Sequence, residues 1–156
     1  MTYLGARKCQ GTGLLDLMLA VIIASLLAAV AIPAYDQFVD RAKVNRAIGD
    51  IGTISIELER FYVKNNRQLP NSLNELQIEI PLDPWGAPYQ YLNIINAGPG
   101  KGGFRKDGKL NPLNSDFDLY SMGEDGDSKG PLSAKASRDD IVRANNGAFI
   151  GLGEDY

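Results

Sequence analysis

Apolar residues are distributed along this chain in two regimes. From Leu14 to Ala34 nearly every position is apolar, in the run "LLDLMLAVIIASLLAAVAIPA", and Asp16 is its one charge. As a helix these 21 residues rise about 31 Å, which matches a bilayer hydrocarbon core of about 30 Å. The run predicts one membrane-crossing helix. From Tyr35 onward the apolar positions thin out to Phe38, Val44, Ile48, Ile51, Ile54, Leu58 and Phe61, with Asp, Arg, Lys and Glu between them. From Val44 onward steps of three and four, adding up to seven, keep these positions on one helix face, so an amphipathic helix is predicted over 36–64. Pro33 removes one backbone hydrogen bond within the apolar run, which predicts a kink or local melting rather than a stop, because helical spacing resumes after it. Gly49 and Gly52 each weaken an isolated helix by about 1 kcal/mol, so the apolar face must be held by packing on a domain.

Beyond "NNRQLP" the pattern changes to short segments punctuated by Pro, Asn and Gly. Asn71 to Leu76 reads as a helical turn or two capped by Asn71 or Ser72. Ala87 to Ile94 and Phe117 to Met122 alternate aromatic or aliphatic with polar residues and read as strands. Asn96 to Ser115 reads as loop, with a short hairpin strand near Gly103 to Arg105. Trp85 and Tyr89 are expected in the core, while Pro84, Gly86 and Pro88 fix a turn. The expected fold is α+β: a long N-terminal helix, half transmembrane and half amphipathic, packed on a small antiparallel sheet.

Composition narrows the chemistry. With 156 residues, the chain has room for one modest domain beyond the apolar run. Its formal charge is −3 and its cations are scattered, so the basic footprint of a nucleic-acid binder is missing. Histidine is absent and Cys9 is the sole cysteine, which excludes Ser-His-Asp and Cys-His catalysis, His- or Cys-based metal sites, and an internal disulfide. Carboxylate catalysis remains, as in a glycosidase using two acids between Asp116 and Asp127, but it needs a cleft that so small a head does not suggest. The expectation is therefore a protein that is not an enzyme.

Arg7 and Lys8 precede the apolar run and Asp36 follows it, which places the N-terminus in the cytoplasm and the remainder outside. A secretory signal peptide fits less well, since its small-residue cleavage site follows the apolar stretch. Here the small residues come first. "GTGLLDLMLAVIIASLLAAVAIPAY", Gly11 to Tyr35, resembles the class III signal of type IV pilins and type II secretion pseudopilins. The resemblance implies a leader at 1–11, cleavage between Gly11 and Thr12 by a prepilin peptidase, and N-methylation of Thr12. It further implies a transmembrane and assembly helix at 12–35 and a periplasmic head at 36–156, in a single-pass protein of the bacterial inner membrane. The sequence departs from the family's usual residues in having Thr12 for Phe or Met and Asp16 for Glu.

Asp16 has a physical reading of its own. A carboxylate inside a bilayer costs roughly 3 kcal/mol on insertion scales, so it calls for a partner. Cleavage after Gly11 would create an α-amino group, and in a staggered array the amine of a neighbouring subunit would meet Asp16 and set the register. The plainer alternative is a polar residue tolerated near the membrane interface.

Two further segments, "LDPWGAPYQY" at Leu82 to Tyr91 and "DFDLYSMGEDGD" at Asp116 to Asp127, resemble the head of the major pseudopilin of type II secretion. The acidic loop by itself is either a solvated turn or a hard-oxygen site suited to calcium, and it is not an EF-hand. The resemblance implies calcium, with the Met122 backbone carbonyl, Asp125 and Asp140 at matching positions and Asp127 and Asp139 as additional oxygen donors. The family's first aspartate before the Asp-Ile pair is replaced by Arg138, and the intervening "SKGPLSAKAS" is longer.

The implied function is a structural subunit of a type II secretion pseudopilus, polymerising through its N-terminal helix to drive protein export across the outer membrane. The implied partners are copies of itself, minor pseudopilins, the inner-membrane secretion platform, the prepilin peptidase, and lipid before assembly. The alternative is a type IV pilin subunit for adhesion, motility or DNA uptake.

Overall fold

A computed structural model describes residues 13–97, 103–108 and 110–156. The predicted cleavage residues Gly11 and Thr12 lie outside the described residues. The first element, α1, is a helix over Leu14–Lys64 and contains Pro33, as the two hydrophobic patterns predict when joined end to end. The chain divides into two compact units between Asp40 and Arg41, and α1 contributes to both.

In the first unit α1 begins after Gly13, and its side chains are exposed from Leu14 to Phe38, Leu14 being 76% and Val30 73% accessible. By length and composition, α1 is long and apolar enough to cross a membrane, alone among the helices of the described residues. Helical geometry satisfies its backbone internally, the one requirement that hydrocarbon imposes on a lone spanning segment. Ser25 removes its own polar cost by donating its hydroxyl to the Ile22 carbonyl at 2.8 Å.

In the second unit α1 has a buried face, made by Ala47, Ile51, Ile54, Ser55 and Leu58. Their spacing of three and four returns each side chain to the same side of the helix. Val44, Ile48 and Phe61 flank that face half-buried. Ser55 is tolerated within it because its hydroxyl donates to the Ile51 carbonyl at 2.7 Å. The predicted capped turn is a single 3-10 turn, Leu73–Glu75, and of the two candidate caps Ser72 serves, accepting from the Asn74 N–H.

Among the described residues the sheet has four strands: β1 at Gln90–Asn93, β2 at Phe117–Ser121, β3 at Ile141–Ala144 and β4 at Phe149–Leu152. They lie in sequence order, each antiparallel to the next. A one-turn helix, α2 at Ile94–Ala97, follows β1. Strand alternation sorts the side chains to two faces. Phe117, Leu119 and Ile141 join the core under α1 with Leu69, Leu76 and Tyr89. Val142 and Ala144 pack on the other face with Leu113 and Leu132, beside Tyr120 and Phe149.

Three local expectations are corrected. β1 begins at Gln90 rather than Ala87, because Ala87 is held in the turn before it: its carbonyl accepts from the Asp83 N–H at 2.8 Å and its own N–H donates to the Asp83 carboxylate. Gly103 to Arg105 is not a strand; an isolated bridge joins the next residue, Lys106, to Pro131. β3 and β4 occupy a stretch where no strand was predicted. The signal for them was "NNG" between two short apolar segments, and Asn145, Asn146 and Gly147 all take positive φ, as a tight turn between antiparallel strands requires.

Candidate functional site

Three groups of predicted residues can be followed into the structure. The first is the start of α1. Asp16 stands in the opening turn, and its Oδ2 accepts from the Gly13 N–H at 3.2 Å. Gly13 is the residue before the helix and Asp16 the third within it, so the carboxylate reaches back to an N–H that the helix cannot satisfy and meets the positive end of the dipole. This capping role was legible in the spacing of Gly13 and Asp16.

The second group is the turn at Asp83 to Ala87. Asp83 is buried, and its Oδ1 accepts from the N–H groups of Trp85 and Ala87 at 3.1 and 2.8 Å. Its Oδ2 accepts from the Ser121 hydroxyl at 2.6 Å, and the same hydroxyl oxygen accepts from the Gly123 N–H at 3.2 Å. One carboxylate thus ties the Asp-Pro-Trp-Gly turn to the end of β2 and to the acidic loop that follows. The two sequence stretches singled out separately are one hydrogen-bonded assembly. Gly86 completes the turn at φ +94°. Tyr89 is buried as expected, with Trp85 half-buried against the same core. The Tyr89 hydroxyl donates to Asp50 on α1 at 2.9 Å. Burial first, then the Asp50 carboxylate, push this phenol above its ordinary value, so it remains a donor.

The third group is the acidic loop. Met122 is half-buried just after β2, while Glu124, Asp125 and Asp127 are exposed. Asp125 accepts from the Asp127 N–H at 2.8 Å and Asp127 from the Ser128 N–H at 2.9 Å, so both fold the loop on itself. The Asp139 Oδ2 accepts from the N–H groups of Glu124 and Asp125 at 3.0 and 3.1 Å. Gly123 allows this approach: at φ +67°, a Cβ placed on it would lie 2.4 Å from the Asp139 carbonyl oxygen.

Asp140 points elsewhere. It is fully buried, and its Oδ2 pairs with Nη2 of Arg105, itself only 2% exposed, and accepts from the Ser128 hydroxyl at 2.7 Å. Arg105 Nη1 donates to the Ser128 hydroxyl oxygen and, at 2.8 Å, to the Lys129 carbonyl. The Arg105 backbone N–H donates to buried Asp118 at 2.7 Å, and the guanidinium lies 4.3 Å from the Tyr120 ring centroid. Burial raises the Asp118 and Asp140 carboxyls above their ordinary range, while Arg105 opposes the rise in both. On the other face, Arg143 makes a two-pronged pair with Asp116 at 2.9 and 2.7 Å and covers the Phe117 ring at 4.0 Å.

The donor set predicted for calcium is therefore not gathered. Asp139 serves backbone N–H groups, Asp125 and Asp127 serve their own loop, and Asp140 is committed to a guanidinium. Among the described residues, no three acidic side chains stand where one ion could be held. The Asp140 Oδ1 is buried without a partner, but it is one oxygen, whereas calcium takes six to eight. Sequence reasoning placed the acids correctly in the loop and missed Arg105, whose pairing spans 35 residues and leaves no local pattern.

Comparison with known proteins bears on the whole chain. It is 32% identical over 141 residues to type II secretion system core protein G of Pseudomonas aeruginosa, covering 77% of this chain and 87% of that protein. The protein of the same name from Aeromonas hydrophila is 26% identical over 141 residues, covering 78% of this chain and 87% of that protein. Fimbrial protein Q of Moraxella bovis is 27% identical over 95 residues, covering 58% of this chain and 60% of that protein. No family model matches the chain, and no solved structure matches it. With a long apolar helix leading into a helix-on-sheet head, and with that extent of identity, the chain belongs to the type II secretion core protein G family of pilin-like proteins.

Proposed function

We propose that the chain is the structural subunit of a type II secretion pseudopilus, with no catalytic role, and that it polymerises through α1 to drive protein export across the outer membrane. The observation that carries this reading is the contrast within α1: an apolar stretch from Leu14 to Ile32 with no burial of its own, continuous with a helix whose face is buried in a folded head. Such a stretch is stable in lipid before assembly and against copies of itself afterwards. A secretion role is favoured over a pilus role because the core protein G match runs over 141 residues and the fimbrial protein Q match over 95.

In this reading the N-terminus is cytoplasmic, the head periplasmic, and the prepilin peptidase cuts between Gly11 and Thr12 before Thr12 is methylated. Minor pseudopilins and the inner-membrane platform are the further partners. Asp16 joins subunits. Its Oδ2 caps its own helix at Gly13, and its carboxylate is offered to the new amine of a neighbouring subunit, where the low dielectric strengthens the pair. The experiment is expression in a bacterium with a prepilin peptidase, followed by intact-mass measurement and filament recovery. The wild-type mass should correspond to loss of residues 1–11 and gain of one methyl group. Asp16→Ala should be cleaved and inserted normally yet yield at least tenfold less filament, a factor of about 1.4 kcal/mol per assembly step. A chain that keeps its leader in wild-type cells, or an alanine variant that polymerises normally, would defeat the reading.

A further inference from the structure

We propose that the Arg105 guanidinium is the cation that closes the C-terminal loop of this head, and that the folded head draws no stability from calcium. The proposal concerns how the head is held and stands apart from the filament reading. Arg105 reaches a hydroxyl, a carbonyl and a carboxylate: Ser128 Oγ, Lys129 O and Asp140 Oδ2. These are the oxygen types that a divalent ion would collect, and here N–H donors meet them. They come from both ends of the segment between Ser128 and Asp140, so one side chain pins the return of the loop to β3.

The charge balance points the same way. A carboxylate as buried as Asp140 needs a partner of opposite charge, and a guanidinium supplies a permanent one. Arg105 is also fixed before it reaches the loop. Its N–H is held by Asp118, its carbonyl accepts from the Leu113 N–H at 2.7 Å, and the Tyr120 ring lies against its guanidinium. The remaining acids do not compete for an ion. Asp139 is turned onto the Glu124 and Asp125 N–H groups, and Asp125 and Asp127 each accept from an N–H within their own loop. A site with a resident monovalent cation and dispersed carboxylates is closed to calcium.

The test is thermal unfolding of the full mature chain in detergent micelles, followed by Trp85 fluorescence in chelator, in magnesium and in calcium. The wild type is expected to melt at the same temperature in all three. A calcium site at a hundredfold excess over its dissociation constant would instead raise the midpoint by about 10 °C, and such a rise would overturn the proposal. Arg105→Met, which keeps the stem and removes the charge, should lower the midpoint by about 10 °C or more by leaving Asp140 uncompensated. Arg105→Met melting with the wild type would also overturn it. Should that variant fail to fold, the wild-type comparison across the three conditions decides alone, and Arg105→Lys should fold with a midpoint between the two, since it retains charge without the fork.

Discussion

The two parts of α1 share one backbone geometry and differ in what their side chains touch. Up to Asp40 the apolar residues surround the helix and none is buried; from Arg41 most of them gather on one face, Ile56 and Val63 excepted, and Ile51 and Leu58 are wholly covered. An apolar run without spacing carries no information about a partner within the chain, and in the proposed function its partner is lipid or another copy. An apolar face with spacing specifies a partner in the chain itself, here the sheet. The head adds a second layer of specificity that the anchor lacks, a set of buried polar groups each directed to a named atom.

This contrast is open to attack with paired substitutions. The largest difference is expected between two leucines. Leu58→Ala removes a fully buried side chain and should cost the head about 2–5 kcal/mol, whereas Leu26→Ala, exposed in the first unit, should change head unfolding by less than about 0.5 kcal/mol. Thermal melts in detergent measure both, and equal losses would show that the two regions are not separate in energy. A pair of glycines comes next. Gly123→Ala meets the Asp139 carbonyl at 2.4 Å and a positive φ, so about 2 kcal/mol or more should be lost. Gly13 has nothing within 4 Å of its would-be Cβ, so Gly13→Ala should leave the head's unfolding midpoint unchanged.

The smallest effect is a dependence on pH that belongs to the head. Burial raises the Asp118 carboxyl above its ordinary value of 3.8, against the pull of the Arg105 N–H, the Asn114 amide and the Arg105 charge. The folded head therefore holds this proton more tightly than the unfolded chain does. The resulting stability is complete below 3.8 and is lost as pH rises through the raised value. As pH falls into the carboxylate range, the difference in midpoint between wild type and Asp118→Asn should move in favour of the wild type. A difference that stays constant with pH would remove Asp118 as its source.

What the sequence disclosed follows the range of the forces involved. α1 was readable to its last residue because a run and a face are both local patterns. β1 and β2 were found in place but overextended, since the alternation does not show that Ala87 is claimed by Asp83. β3 and β4 escaped because neither alternates: β3 is buried at every position, Arg143 included, and β4 has no polar residue, which erases the pattern a strand is recognised by. The glycines of the acidic loop were visible. The partner that Asp140 chose was not, because the Arg105 pairing depends on the sheet bringing two distant segments together. The same holds for Tyr89 and Asp50, 39 residues apart.

The Asp83 carboxylate has a consequence for how the head breathes. It receives two N–H groups from its own turn and a hydroxyl from Ser121, and that hydroxyl oxygen in turn accepts from Gly123. Because one carboxylate holds groups from both segments, displacing it frees donors in each, so the turn before β1 and the loop after β2 are expected to open together rather than as two independent fluctuations. Amide exchange in the two segments should then report one opening free energy, making two motifs nearly forty residues apart one cooperative unit.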